Sequence, residues 1–155
     1  MTERSYYVET SVWGTIPIGQ PQEMRRTTLQ FLQRFPAPRF YVSPVVMNEI
    51  KDCPEQVYVQ IMRVLQKVGP ESLLGTASSV ELAEAYIAAG IVSIKKRDDA
   101  LHVAIATIHD VDVLVSWNHR HIANVRKTEQ YRAVNLFRGY RSTPAILTPY
   151  EVLYE

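Results

Sequence analysis

A chain of 155 residues with 46% hydrophobic and 21% charged side chains has the size and composition of one globular domain with a real core, and is too short for two ordinary domains. Its formal charge of +1 neither demands nor excludes a polyanionic partner, and no apolar run reaches the ~18 residues that a membrane helix needs. The single cysteine, Cys53, excludes an internal disulfide and reads as a small, partly buried hydrophobe. Met1 to Ser5 show neither the basic start nor the apolar core of a signal peptide, so a cytoplasmic location is expected.

Tyr6-Tyr7-Val8 is β-rich and gives way to polar Glu9-Thr10-Ser11, which predicts a first strand and its exit loop. From Glu23 to Phe35 the apolar residues Met24, Leu29, Phe31, Leu32 and Phe35 recur mainly at helical spacing, and Pro36 and Pro38 stop that helix. Phe40-Tyr41-Val42 predicts a second strand, followed by Ser43 as N-cap and Pro44 as first residue of a helix carrying Glu49. Pro54 opens a further helix that keeps Val57, Ile61, Val64, Leu65 and Val68 on one face until Gly69-Pro70. Leu73-Leu74 reads as a short third strand, and Ser78-Ser79 as the cap of a helix reaching Ala89, closed by Gly90. Asp98-Asp99 predicts the start of a helix running to about His109. The apolar run from Val111 to Val115 suits a strand buried on both faces, with Ser116-Trp117-Asn118 as its exit loop. A helix from about Ile122 to Phe137 and a strand Ala145-Ile146-Leu147 before Pro149 complete the pattern. This alternation predicts a single α/β domain over residues 1–155, a three-layer α/β/α sandwich around a mainly parallel sheet.

Open sheets of this kind bind ligands at the carboxyl ends of their strands. Glu9 and Asn118 stand at strand exits, while Glu49 and Asp99 lie near the starts of helices that approach the same edge. Oxygen donors of this type suit a hard cation, Mg2+ or Mn2+, which would also relieve the repulsion among clustered carboxylates. Such a cation acidifies a water and orients a phosphodiester, so phosphodiester hydrolysis is the fitting reaction. Asp98 points about 100° away from its neighbour on the helix, which leaves Asp99 as the ligand. Taken singly, each acid also has an ordinary reading: strand-end solvation for Glu9, a surface charge for Glu49, a favourable helix-start acid for Asp99.

Around these residues, Thr10 and Ser11 suit either hydrogen bonding to a metal-ligating carboxylate or a phosphate, or turn capping. His102, one turn from Asp99, suits steadying the pocket, touching substrate, or plain packing. Lys95-Lys96-Arg97 and Arg120 offer cations for a phosphate path, although most such clusters are solvated faces. His119 and His121 lack acidic or Cys partners at ligand spacing, and Trp13 and Trp117 fit base stacking less readily than core packing.

Tyr7-Val8-Glu9-Thr10-Ser11-Val12, Asn48-Glu49-Ile50, Asp99-Ala100-Leu101-His102-Val103-Ala104 and Val115-Ser116-Trp117-Asn118 resemble, in order, the four motifs of PIN domains, especially VapC-like toxin nucleases. The likeness spans Tyr6 to about Pro149. It implies a Mg2+- or Mn2+-dependent endoribonuclease, the toxin of a type II toxin–antitoxin pair, often a homodimer and held inactive by a cognate antitoxin. Glu9, Glu49 and Asp99 carry over as metal-binding and catalytic residues, with Asn118 as the fourth catalytic position. Thr10, Ser11, Lys96, Arg97, His102 and Arg120 carry the expected contacts to RNA. Two positions depart from the pattern. PIN domains usually begin their site with Asp, and Glu9 adds a methylene, roughly one bond length, to a site where metal distances are tight. Asn118 replaces a position that is commonly acidic, leaving three carboxylates and favouring one ion. A catalytically weakened PIN module that binds RNA or a protein without cleavage is the alternative.

Overall fold

Five short strands, β1 (Tyr6–Val8), β2 (Phe40–Val42), β3 (Glu71–Ser72), β4 (Val113–Val115) and β5 (Ala145–Leu147), form one parallel sheet in the order β3-β2-β1-β4-β5. This computed structural model describes residues 3–34, 39–118 and 124–154. The helices are α1 (Thr10–Trp13), α2 (Gln22–Arg34), α3 (Pro44–Lys51), α4 (Glu55–Val68), α5 (Ala77–Ala88), α6 (Arg97–Ile108), α7 (Val125–Phe137) and α8 (Pro149–Leu153). Helices flank the sheet in two groups, α2 packing with α8 and α5 packing with α6 and α7. The expected α/β architecture is therefore the observed one.

The centre of the sheet is buried because its strands are apolar without alternation. Tyr6, Tyr7 and Val8 of β1 and Val113, Leu114 and Val115 of β4 are all buried, as parallel strands covered on both faces require. Tyr6, Phe31 and Phe40 pack as an aromatic trio, with Tyr6 to Phe31 and Phe31 to Phe40 ring centroids 5.7 and 5.3 Å apart in edge-on contact. α6 is buried almost all round, from Ala100 through Val103, Ala104, Ile105 and Ala106, so it crosses the core rather than its surface.

Topology fixes where a ligand edge can form. The chain leaves β1 toward β2 and β3 on one side, then returns to β4 and β5 on the other. The strand order thus switches between β1 and β4, and the crevice beyond their carboxyl ends is the natural site in such sheets. Hydrogen bonds carry the ladder past the strand ends into that crevice: Glu9 N donates to Val115 O at 3.1 Å, and Ser116 N to Leu147 O at 2.9 Å.

Several local expectations are corrected. Thr10-Ser11 is the opening of α1 rather than an exit loop, since Glu9 is already its N-cap residue. The cap of α5 is Thr76, whose hydroxyl accepts from Ser79 N while Ser79 reaches back, a reciprocal pair that moves the start ahead of Ser78. The third strand is Glu71–Ser72, not Leu73-Leu74. β4 begins at Val113 because Val111 N still closes the end of α6 on Ala106 O. Pro149 starts α8, an element not anticipated from the sequence, capped by Thr148 and Glu151. The expected helix ends at Phe35 and Ile122, and Pro36 and Pro38, lie outside the described residues.

Candidate active site

Glu9 enters the crevice from the end of β1 and is almost fully buried, 3% exposed. Its Oε1 accepts the Ser116 hydroxyl at 2.6 Å and a short hydrogen bond from the Ser11 hydroxyl. Ser11 Oγ also accepts from Trp117 N at 2.9 Å, and Ser116 Oγ from Asn118 N at 2.9 Å. The exits of β1 and β4 are thereby laced together around one carboxylate oxygen. Trp13 Nε1 donates to Val8 O at 3.0 Å and Trp117 Nε1 to Thr28 Oγ1 at 2.9 Å, so both indoles are engaged in holding these exits.

Glu49 projects from α3 on the other side. Its Oε1 accepts from Thr10 Oγ1 at 2.5 Å and lies 2.7 Å from His102 Nε2. His102 is fully buried on α6, with Nδ1 2.7 Å from Tyr7 Oη and Nε2 also 3.9 Å from Glu9 Oε2. Both ring nitrogens therefore point inward, toward Tyr7 and Glu49, rather than outward to a substrate. Tyr7 Oη is 2.7 Å from Ser43 Oγ, and Ser43, although it stands at the N-cap of α3, makes no capping hydrogen bond.

Asp99, in the first turn of α6, completes the group. Its Oδ2 is buried without a hydrogen-bond partner. Burial first, and then the negative charges of Glu9 and Glu49, push its carboxyl up to about 6, against the pull of His102 and Lys96. For Glu49, burial opposes ionisation, yet the hydrogen bonds from His102 and Thr10 hold its carboxyl below the ordinary value. For His102, burial opposes the charged ring, but its bond to Glu49 and the charges of Glu9, Glu49 and Asp99 raise the imidazole above its ordinary value.

Four chain segments thus meet at the carboxyl edge of β1 and β4, bringing Glu9, Glu49, Asp99 and His102 into mutual electrostatic contact, with Thr10 and Ser11 on the carboxylates. Among the described residues, no three of these side chains stand close enough to form a ready-made metal cage. The donor chemistry nonetheless fits a hard divalent cation: three carboxylates converge, hydrogen bonds occupy Oε1 of each glutamate, and one buried Asp99 oxygen lacks any partner.

The remaining expected positions spread outward. Asn118 is half-buried beside Ser116, and Asp98 is exposed. Lys96 is exposed on the short 3-10 turn before α6, whereas Arg97 turns to Glu84 on α5 at 3.1 Å. Arg120, His119 and His121 lie outside the described residues. Sequence reasoning missed Tyr7, Ser43 and Ser116 as parts of the site. The available signal was that a tyrosine in a doubly buried strand must find a partner for its hydroxyl.

The sequence matches no protein-family model and no curated protein sequence. The fold, however, is that of solved VapC structures. It is similar to Mycobacterium tuberculosis VapC20, a sarcin–ricin loop cleaving toxin, with TM-score 0.58 and 16% identity over 76% of this chain and 92% of that one. It is also similar to VapBC2 from Rickettsia felis, solved bound to a DNA fragment from its promoter, with TM-score 0.55 and 12% identity over 92% of this chain and 97% of that one.

Proposed function

We propose that this chain is a Mg2+- or Mn2+-dependent endoribonuclease of the VapC type, the toxin of a toxin–antitoxin pair, with Glu9, Glu49 and Asp99 holding the cation and Asn118 at the fourth position. The carrying observation is the convergence of three carboxylates at the β1–β4 switch of a VapC-like fold, one of them with a buried, unpartnered oxygen. A bound divalent cation would neutralise these carboxylates, acidify a water and stabilise the leaving oxygen of a phosphodiester. The chain's own residues prepare that site. Ser11 and Ser116 hold Oε1 of Glu9, while Thr10 and His102 hold Oε1 of Glu49, so each carboxylate is fixed through one oxygen and keeps a second for a ligand. The packed core beneath, with Tyr7 and Val115, keeps water from the inner side of these groups. Lys96, Arg97 and Arg120 are the proposed contacts to the RNA backbone, and a protein antitoxin and a second copy of the chain are the proposed partners, a pairing that the VapBC2 likeness supports.

Glu9 and Asn118, the two departures from the PIN pattern, favour a second reading, a PIN-like module that binds without cutting. One experiment separates them. Manganese at a hundredfold excess over its dissociation constant is expected to raise unfolding free energy by about 2.7 kcal/mol, and the same protein is expected to cleave RNA with either metal and not with EDTA. A metal-induced rise without cleavage selects the binding module, and no rise at all removes the metal site.

A further inference from the structure

In its neutral form His102 has no freedom in where its one ring proton sits. A carboxylate only accepts hydrogen bonds, so the 2.7 Å contact with Glu49 Oε1 puts a proton on His102 Nε2. In the neutral ring Nδ1 is then an acceptor, and the hydroxyl of Tyr7, 2.7 Å away, must donate to it. Having given its one proton to Nδ1, Tyr7 Oη accepts from Ser43 Oγ at 2.7 Å. With the ring neutral, the chain Ser43 to Tyr7 to His102 to Glu49 therefore runs in one direction. Its members come from the exit of β2, from β1, from α6 and from α3, and Tyr7, Ser43 and His102 are all fully buried. Ser43 supplies a second sign of this arrangement: it occupies an N-cap position but turns its hydroxyl to Tyr7 instead of capping α3. The opposite tautomer would set the Nε2 lone pair against the Glu49 carboxylate.

We propose that Tyr7, backed by Ser43, is a positioning residue that locks His102 as its Nε2–H tautomer and thereby holds the Glu49 carboxylate in place for a ligand. The consequence for cation binding rests on the function proposed above, whereas the tautomer itself does not. Nitrogen-15 NMR of the assigned His102 ring in the full chain, free of divalent cation and at alkaline pH, is expected to give the Nε2–H form. Tyr7→Phe is expected to populate the Nδ1–H form and to weaken Mn2+ binding about tenfold, that is by about 1.4 kcal/mol. Ser43→Ala, which removes no cap hydrogen bond, is expected to shift both readouts the same way by a smaller amount, and it keeps the proposal testable should Tyr7→Phe fail to fold.

An Nδ1–H ring in the wild type, a ring carrying both protons at alkaline pH, or a tautomer that neither variant disturbs overturns the proposal. So does unchanged Mn2+ affinity in variants of a wild type that binds the metal. If the tautomer responds while the wild type binds no Mn2+, the positioning chain stands and the nuclease reading falls. If the wild type binds Mn2+ with an undisturbed tautomer, the metal site stands and the positioning chain falls.

Discussion

Two buried polar clusters share the helix α6, and they are built to opposite rules. Toward its end, Thr107 joins Tyr86, Asn135 and Thr143 in a neutral group: Asn135 accepts a short hydrogen bond from Tyr86 Oη and gives its amide protons to Thr107 at 3.2 Å and Thr143 at 3.0 Å. Toward its start, Asp99 and His102 meet Glu9 and Glu49, and there three carboxylates face one imidazole while Asp99 Oδ2 goes unpartnered. A satisfied neutral network adds stability and specifies packing. An unsatisfied charged one costs stability in the isolated chain, a cost that the cation proposed at this switch point would relieve.

The sharpest way to break the contrast is to neutralise one member of the charged cluster. Asp99→Asn is expected to abolish Mg2+-dependent RNA cleavage while leaving thermal stability unchanged or slightly higher, because a buried carboxyl already pushed up to about 6 loses an unfavourable charge. Cleavage assays and calorimetric unfolding on the same preparation check both halves. Undiminished cleavage by the variant removes Asp99 from the site. The neutral cluster should respond the other way. Asn135→Ala removes the acceptor of Tyr86 Oη, leaving it only the 3.5 Å contact with Thr107, and opens a small cavity, so a loss of about 3 kcal/mol is expected in denaturant unfolding with cleavage per folded molecule unchanged. An activity loss in proportion to that of Asp99→Asn would erase the distinction between the clusters.

How far the sequence showed this depends on length scale. Long periodic elements such as α2 and α4 and the doubly buried β4 were legible because their apolar spacing repeats over enough residues to be read. α1 was not, since the four residues Thr10–Trp13 are too few to display a helical period, and β3, a two-residue exposed edge, has no buried face to leave a pattern. α8 was missed although its signal was present: Thr148-Pro149-Tyr150-Glu151 is a capping box with proline at the first turn. In the site, Glu9, Glu49 and Asp99 could be placed on one edge from strand and helix order alone. Of their supports, Thr10, Ser11 and His102 could be named as candidates, whereas Tyr7, Ser43 and Ser116 could not. Ser43 in sequence is indistinguishable from an ordinary cap, and the partnership of Tyr7 with His102 joins residues far apart in the chain whose contact exists only after the sheet and α6 have packed.

Glu9 gives the mildest and most discriminating test. By its sequence it is an overlong replacement for the aspartate usual in such sites, which would make Glu9→Asp a gain. In the folded chain its Oε1 is held by the hydroxyls of Ser11 and Ser116, and its length is matched to them. Shortening the side chain by about 1.5 Å, one carbon–carbon bond, withdraws the carboxylate from both hydroxyls. It also lets the shorter group cap the first turn of α1, where Glu9 stands at the N-cap without a side-chain capping bond. The expected result is a loss, with Mn2+ affinity about tenfold weaker, about 1.4 kcal/mol, and unfolding free energy lower by about 1–2 kcal/mol as two hydrogen bonds to a buried carboxylate are given up against one cap gained. Isothermal titration with Mn2+ and denaturant unfolding measure the two quantities. Tighter binding in Glu9→Asp would mean that the hydroxyl pair tolerates the retraction and that the extra methylene, not its supports, sets the affinity of the site.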